Sequence, residues 1–424
     1  MSPAPAGFKR LAGPGETQIE PVPPWQACMP HEPSPTASGV KSSGMRIGGL
    51  PMEFLLATAL AATAHSLWLT LFPVFLDERG FQLWEVGVAS GLTYALTFIS
   101  ALPAGLASDA ASTRAALVAS SLIQLASLHA VANAPSAILL IPLLVIYSFS
   151  LAVRGQAAVR LVATLSGRGD RAFKYSLYLL ATGLANALGS YLSGLVAEEW
   201  GYMQLFSLSE FLLLASALAA LGIKGAPRGR LPGLRAIKQV ALSREMVLLT
   251  SSLSIHDFSV FMCMPYVALF QKKVVGITPY QIGVLSAMTT ATSQLAQLAA
   301  GAFADKFGAR ASLALHYTGV SAGYALVALS KNFEELALAA LVQGLSMPFD
   351  MPARRKLLTL IASPEVIATS SGLADTVVGI ATLPSPILGS YLWGYASPRA
   401  MMLCGAAMNL MALLPLNALE RGRS

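Results

Sequence analysis

Ionisable side chains interrupt the long apolar stretches of this sequence at His65, His129, Arg154, the pair His256-Asp257, His316, the pair Asp350 and Arg354, and Asp375. A charge in such surroundings is expensive to keep, so each of these positions is a candidate for function. Imidazole titrates near neutral pH, and a carboxylate changes its hold on a proton as it passes between water and a low-dielectric site. The chemistry these residues suit is therefore proton loading and release. Nothing points to an enzyme: HExxH and GxxxxGK[ST] patterns are absent from the sequence, and the Gly319-Val-Ser-Ala-Gly323 match to GxSxG lies inside the apolar run that begins near Ala311, with no strand-to-helix elbow to expose its serine. Cys28, Cys263 and Cys404 have no CxxC spacing, and His31-Glu32 is a solitary pair. No metal and no cofactor is expected.

The elements that must position these groups follow from composition. With 55% hydrophobic and only 12% charged residues in 424, the chain has more apolar surface than a soluble core could bury. Apolar runs of roughly 20 residues, the length needed to span about 30 Å of hydrocarbon, begin near Phe54, Val86, Ala115, Ile138, Phe173, Met203, Met246, Ile282, Ala311, Leu336, Ile367 and Met401. Peptide groups in lipid must be satisfied within the segment, so these runs are read as helices. The expectation is an all-α polytopic membrane protein with about twelve spans.

The spans form two copies of one unit. Gly105-Leu-Ala-Ser-Asp109 leading to Arg114 returns 196 positions later as Gly301-Ala-Phe-Ala-Asp305 leading to Arg310. Trp84-Glu85-Val86-Gly87 and Tyr280-Gln281-Ile282-Gly283 keep the same offset. At an offset of 200, Ala187-Leu-Gly-Ser-Tyr-Leu-Ser-Gly194 recurs as Ile387-Leu-Gly-Ser-Tyr-Leu-Trp-Gly394, and Arg154 matches Arg354. The small residues Gly183, Ala187, Ser190 and Gly194 at three- and four-residue spacing allow tight helix crossing. Pro384 and Pro386 should bend the second copy.

Basic residues orient the chain. One set of loops collects Arg114, Arg168, Arg171, Lys174, the stretch from Lys224 to Arg244, Lys306, Arg310 and Arg354-Arg355-Lys356. The other set is poorer in Lys and Arg, so both termini and the central linker are expected in the cytoplasm of a multi-pass plasma-membrane protein. The basic residues form no aromatic-interleaved patch, which leaves nucleic acid without support as a partner. Residues 1–47 read as a Pro/Gly/Ser-rich disordered tail, with Met45 an alternative start. Residues 48–223 and 246–420 are the two bundles, 224–245 a basic linker whose Leu234 to Leu242 stretch could lie on the membrane surface, and 421–424 a short tail.

Two six-helix halves, a basic linker and a doubled Gly-x-x-x-Asp...Arg segment at the end of each half's second helix resemble the major facilitator superfamily. The second copy fits that family's loop pattern closely, with Gly301, Asp305, Lys306, Gly308 and Arg310. The first departs from it at Ala110 and Ser112. The resemblance implies a small-molecule transporter working by alternating access, with Gly105, Asp109, Arg114, Gly301, Asp305, Lys306 and Arg310 gating the cytoplasmic side. It implies that Asp109 caps the start of the eleventh helix and Asp305 that of the fifth. It also implies a cavity lined by the first, fourth, seventh and tenth helices, with candidates His65, Trp68, Arg154, Gln156, His256, Tyr266 and Gln343. Such a mixture suits a polar, amphipathic or cationic organic solute. By the same resemblance His129 and His316 fall on helices that face lipid or their own bundle, and neither is assigned a role.

Aligning Phe72-Pro73 with Met264-Pro265 sets His65 against Asp257, each about 17 Å into its helix at 1.5 Å per residue. His65, Asp257, Asp350 and Asp375 are the candidates for proton coupling. Asp350 and Arg354, four residues apart, could equally form a structural ion pair, and Arg154, about 24 Å along the fourth helix by the same rise, could snorkel to the interface. Alternative readings are an uncoupled facilitator and a non-transporting receptor or scaffold. The chain is expected to act as a monomer in the bilayer.

Overall fold

The computed structural model describes residues 45–166, 170–224, 243–361 and 367–419. The tail, linker and C-terminal segments inferred from sequence, including the Leu234 to Leu242 stretch, lie outside these residues. Twelve helical rods follow one another at the positions the apolar runs indicate: Met52–Glu78, Leu83–Ile99 continued by Ala101–Ala110, Thr113–Asn133, Ala137–Leu165, Arg171–Trp200, Tyr202–Leu221, Arg244–Val275, Pro279–Phe307, Ala309–Leu329, Phe333–Ile361, Ile367–Thr382 continued by Ser385–Tyr395, and Pro398–Ala418. Among the described residues ten spans are long and apolar enough to cross a membrane. The second rod falls short because it breaks at Ser100, and the eighth because Thr289, Thr290, Thr292, Ser293, Gln294 and Gln297 dilute its apolar surface.

Proline sets the breaks. A proline ring lacks the N–H that would bond one turn back, and the first helix yields before Pro73, the eleventh around Pro384, while Pro265 and Pro348 sit in 3-10 turns within the seventh and tenth. Pro352 falls in the first turn of Asp350–Ile361, and the carbonyl it leaves without a donor, that of Pro348, lies in the 3-10 turn just before it. The internal repeat is also visible at helix starts. Glu85 accepts the N–H of Gln82 (2.8 Å) and Gln281 that of Thr278 (3.0 Å), matching capping boxes 196 positions apart. The departure at Ser112 has a physical reason: its hydroxyl accepts the Ala115 N–H (3.2 Å) and caps the third helix, where the second copy instead turns through Gly308 at φ +90°.

The core shows how the halves meet. On the face away from the linker one apolar cluster runs through both halves, from Trp68, Phe72 and Phe206 to Tyr266, Phe270 and Met401. Toward the linker face it divides in two, Phe54 and Leu161 belonging to one cluster, Leu249 and Leu358 to another. The fifth and eighth helices cross closely on the far side: a Cβ on Gly283 would lie 2.7 Å from the Cα of Gly194. Lys273 pairs with Asp77 (2.5 Å) and Lys272 with Glu78 on the same face, and Glu198 accepts the N–H of Tyr280 (2.8 Å). The halves are thus tied together on the far face, while toward the linker face their apolar core divides in two.

Candidate functional site

Two adjoining cavities lie between these elements. The central one, about 420 Å³, is walled by the first, second, fifth, seventh, eighth, ninth and tenth helices, with His65, Ser66, Thr70 and Asn186 from one half and Gln271, Ser286, Thr289 and Gln343 from the other. The second, about 350 Å³, lies within the first half toward the linker face and is lined by Arg154, Gln156, Tyr178 and Thr182; His65 and Asn186 line both. His65, Arg154, Gln156 and Gln343 therefore reach cavity surface. Trp68, His256 and Tyr266 do not: they are buried behind the wall, where Trp68 donates to Tyr147 (3.1 Å) and Tyr266 to the carbonyl of Pro386 (2.6 Å).

Trp68 is a donor only, so Tyr147 accepts from it, and the same hydroxyl lies 3.0 Å from His65 Nδ1. One ring nitrogen of His65 is thereby engaged within the first half.

The tenth helix carries the charge. Arg354 binds Asp257 through Nη1 (3.2 Å) and Nη2 (3.3 Å), and Asp350 through Nε (3.1 Å) and Nη2 (3.0 Å). One guanidinium faces two carboxylates from the seventh and tenth helices. The next two bases fan to other helices: Arg355 reaches Asp375 on the eleventh (3.1 Å) and Lys356 reaches Asp305 on the eighth (2.8 Å). These three bases, which resemble loop charges in the sequence, lie within a helix and meet carboxylates instead, because successive helix positions point them at different neighbours. Asp375 is accordingly a paired carboxylate.

His316, for which sequence alone suggests no role, joins this cluster. Its Nδ1 meets the Ser346 carbonyl (2.8 Å), and its Nε2 faces Nε2 of His256 at 3.0 Å. His256 Nδ1 in turn meets Oδ1 of Asn409 (2.6 Å), whose amide nitrogen is committed to Tyr317 O and Ser321 Oγ. Each Nδ1 must donate to its oxygen, which leaves two Nε2 lone pairs in opposition unless one proton sits between them. A further proton there would balance the second carboxylate beside Arg354. The signal in the sequence is weak: His256 and His316 are 60 positions apart, and only the packing of the seventh against the ninth helix joins them.

The gating motif is clamped within its own half. Lys356 donates to the Ala304 carbonyl (3.0 Å) as well as to Asp305. In the first half Arg160 donates to the Ser108 carbonyl (2.6 Å), the Ala111 carbonyl (3.0 Å) and Thr113 (3.1 Å). Arg160 and Lys356 stand 196 positions apart, as do Ser108 and Ala304, so the repeat offset itself is the signal that could have found them. That register sets Arg154 level with Asp350, in place of the match to Arg354 at 200. Asp305 is exposed and paired with Lys356 of its own half; the side chain of Asp109 lies outside the described atoms. Among the described residues nothing lies within 4 Å of a Cβ built on Gly105 or Gly301, so neither glycine is a point of close backbone approach in this conformation. Arg114 is exposed, Arg310 donates to Asn417 (2.9 Å) and Lys306 lies over the Phe307 ring (5.2 Å). His129 is on the surface beside Glu210 (3.3 Å).

A family model described as Major Facilitator Superfamily matches residues 54–256 and 249–423. This chain belongs to the Major Facilitator Superfamily. A search of the curated proteins finds no match. Among solved structures it is similar to a point mutant of the nucleoside transporter NupG (TM-score 0.76, 15% identity, 87% of this chain and 99% of that one). It is similar also to a bacterial homologue of the human lysosomal transporter Spinster in an inward-facing, unoccupied conformation (0.69, 12%, 87% and 96%) and to the human organic anion transporter MFSD10 (0.62, 16%, 86% and 98%). At such identities the likeness establishes the fold alone. The superfamily assignment makes the chain a multi-pass membrane transporter, with a small-molecule substrate and a bilayer environment.

Proposed function

We propose that this transporter is a secondary active carrier that moves a small organic solute by alternating access and couples the movement to protons. The observation that carries the reading is the cavity between the halves, walled by polar groups of both, with a continuous core on the far face and a divided one on the linker face. Rocking the halves would close one side as the other opens around that midplane site. The linker face is assigned to the cytoplasm of a plasma-membrane protein on the strength of Arg114, Lys224, Arg244, Lys306 and Arg310.

Coupling is assigned to the cluster of Asp257, Asp350, Arg354, His256 and His316. Its two carboxylates outnumber its one guanidinium, and its facing imidazoles have room for one proton, so it can exchange a proton without leaving a large unbalanced charge in the membrane. His65, which lines both cavities, would serve the solute. Asp375, held by Arg355, has a structural role in this reading.

The test uses the full chain in proteoliposomes, with solutes drawn from a thermal-shift screen. A proton gradient should drive uphill accumulation by the wild type. Asp257→Asn should abolish it while leaving solute exchange at equal pH largely intact, because exchange needs rocking without deprotonation. Accumulation by Asp257→Asn against a gradient would reject the coupling role.

A further inference from the structure

The two halves treat their buried arginines differently. Arg354 is met by Asp257 and Asp350. Arg154 is as deeply buried, 6% exposed, yet its partners are two hydroxyls: Ser121, and Ser216 at 3.3 Å. Its Nε is closed off from solvent and has no hydrogen-bond partner, which leaves the two Nη groups as the donors a ligand could reach, and among the described residues no carboxylate oxygen lies within 4 Å of the guanidinium. Both serines are themselves committed, Ser121 donating to the Leu117 carbonyl (3.0 Å) and Ser216 to that of Ala57 (2.7 Å), so each can offer the guanidinium only a lone pair.

A guanidinium stays charged at any physiological pH. A charge held among neutral groups at membrane depth is costly unless something of opposite sign completes it. Snorkelling does not relieve the cost here, because the side chain is held between the third, fourth and sixth helices. The same residue lines the 350 Å³ cavity, with Gln156, Tyr178, Thr182 and Asn186 around it. That cavity shares His65 and Asn186 with the central one.

We infer that Arg154 is the recognition site for an anionic group, so that the transported solute is a small organic anion whose carboxylate-like end meets Arg154 while its neutral body occupies the central cavity. The inference rests on the transporter reading above and narrows its substrate class. It departs from the cationic solute that the sequence left open, since Asp257, Asp350 and Asp375 do not line the central cavity and are held by Arg354 and Arg355.

The experiment measures binding, so that its failure is separable from a failure of transport. Purified full-length protein in detergent is titrated by thermal shift with benzoate, succinate and inorganic phosphate, each set against neutral benzamide or succinamide or a chloride control at equal ionic strength. At least one anion should stabilise the wild type saturably and its neutral counterpart should not. Arg154→Gln should weaken that binding at least about tenfold, the loss expected for a charge-assisted pair. Arg154→Lys should fall between them, and should do so even if the Gln variant folds poorly. Surface Lys331→Gln should bind as the wild type does. The proposal is overturned if no anion binds, if the amides bind equally well, or if Arg154→Lys and Arg154→Gln bind unchanged. It is overturned also if only phosphatidylglycerol stabilises through Arg154 and none of the soluble anions competes, which would make the occupant a lipid headgroup. Anion binding that persists while proton-driven flux is absent would reject transport and leave the site standing.

Discussion

Removing the cation from the charge cluster should cost far more than removing either anion. In the wild type Arg354 is 2% exposed and holds Asp257 at 3.2 Å and Asp350 at 3.0 Å. Arg354→Gln leaves two buried carboxylates beside each other without a counter-charge, and breaking a buried pair in this way costs on the order of 3–5 kcal/mol. Asp257→Asn leaves Arg354 and Asp350 as a one-to-one pair, and the Asn oxygen can still accept, so the loss is that of weakened charged hydrogen bonds, roughly 1.5–3 kcal/mol at most. The double variant Arg354→Gln with Asp257→Asn removes one of the stranded carboxylates and should recover part of the stability lost by Arg354→Gln alone, a coupling of about 0.5–3 kcal/mol. Thermal unfolding of the purified variants in one detergent, followed by tryptophan fluorescence, gives the order: wild type, Asp257→Asn, double variant, Arg354→Gln. A double variant no more stable than Arg354→Gln, or an Arg354→Gln protein as stable as Asp257→Asn, would refute the reasoning that charge balance holds this cluster together.

Other outcomes follow from the packing. Gly283→Ala should impair folding or yield, because its Cβ would sit 2.7 Å from Gly194 Cα, whereas Gly301→Ala should melt like the wild type and lose flux only if the other conformation presses that helix end against a neighbour. Gly308→Ala should cost roughly 1–3 kcal/mol, since φ +90° is a region side chains rarely adopt. Ser112→Ala, losing only a cap, should cost about 1 kcal/mol by the same melting assay.

The fold was largely legible because its causes are local or periodic. Apolar length located twelve helices, and the doubled Gly-x-x-x-Asp segment located the second half against the first. The prolines at 73, 265, 348 and 384 mark real breaks. The site was legible as a set of suspects and not as an arrangement. His65, Gln343, Arg154 and Gln156 do line cavity, but Trp68 and Tyr266 turn away from it, since facing is set by helix rotation that hydropathy does not encode. Partners such as His316, Asn409 and Tyr147 stand on other helices, and no spacing rule connects them to His256 or His65. Arg354, Arg355 and Lys356 read as one basic run and make ion pairs in three directions. Arg160 and Lys356 could have been found from the internal offset alone.

Alternating access is tested most directly by the distances between the halves on the two faces. Spin labels at Thr164 and Thr359 report the linker face, and labels at Glu199 and Lys331 the far face; all four positions are exposed. The charge reversals Lys272→Glu and Lys273→Glu remove the ion pairs to Glu78 and Asp77 that tie the far face. Surface pairs contribute about 0.2–1 kcal/mol each, so losing the two together should change the balance of conformations by roughly two- to thirtyfold. The account predicts that the reversal variant shows a larger population with a shorter distance on the linker face and a longer distance on the far face, in equal proportion. Distances that stay as in the wild type on the linker face while the far face opens, or that lengthen on both faces together, would contradict it.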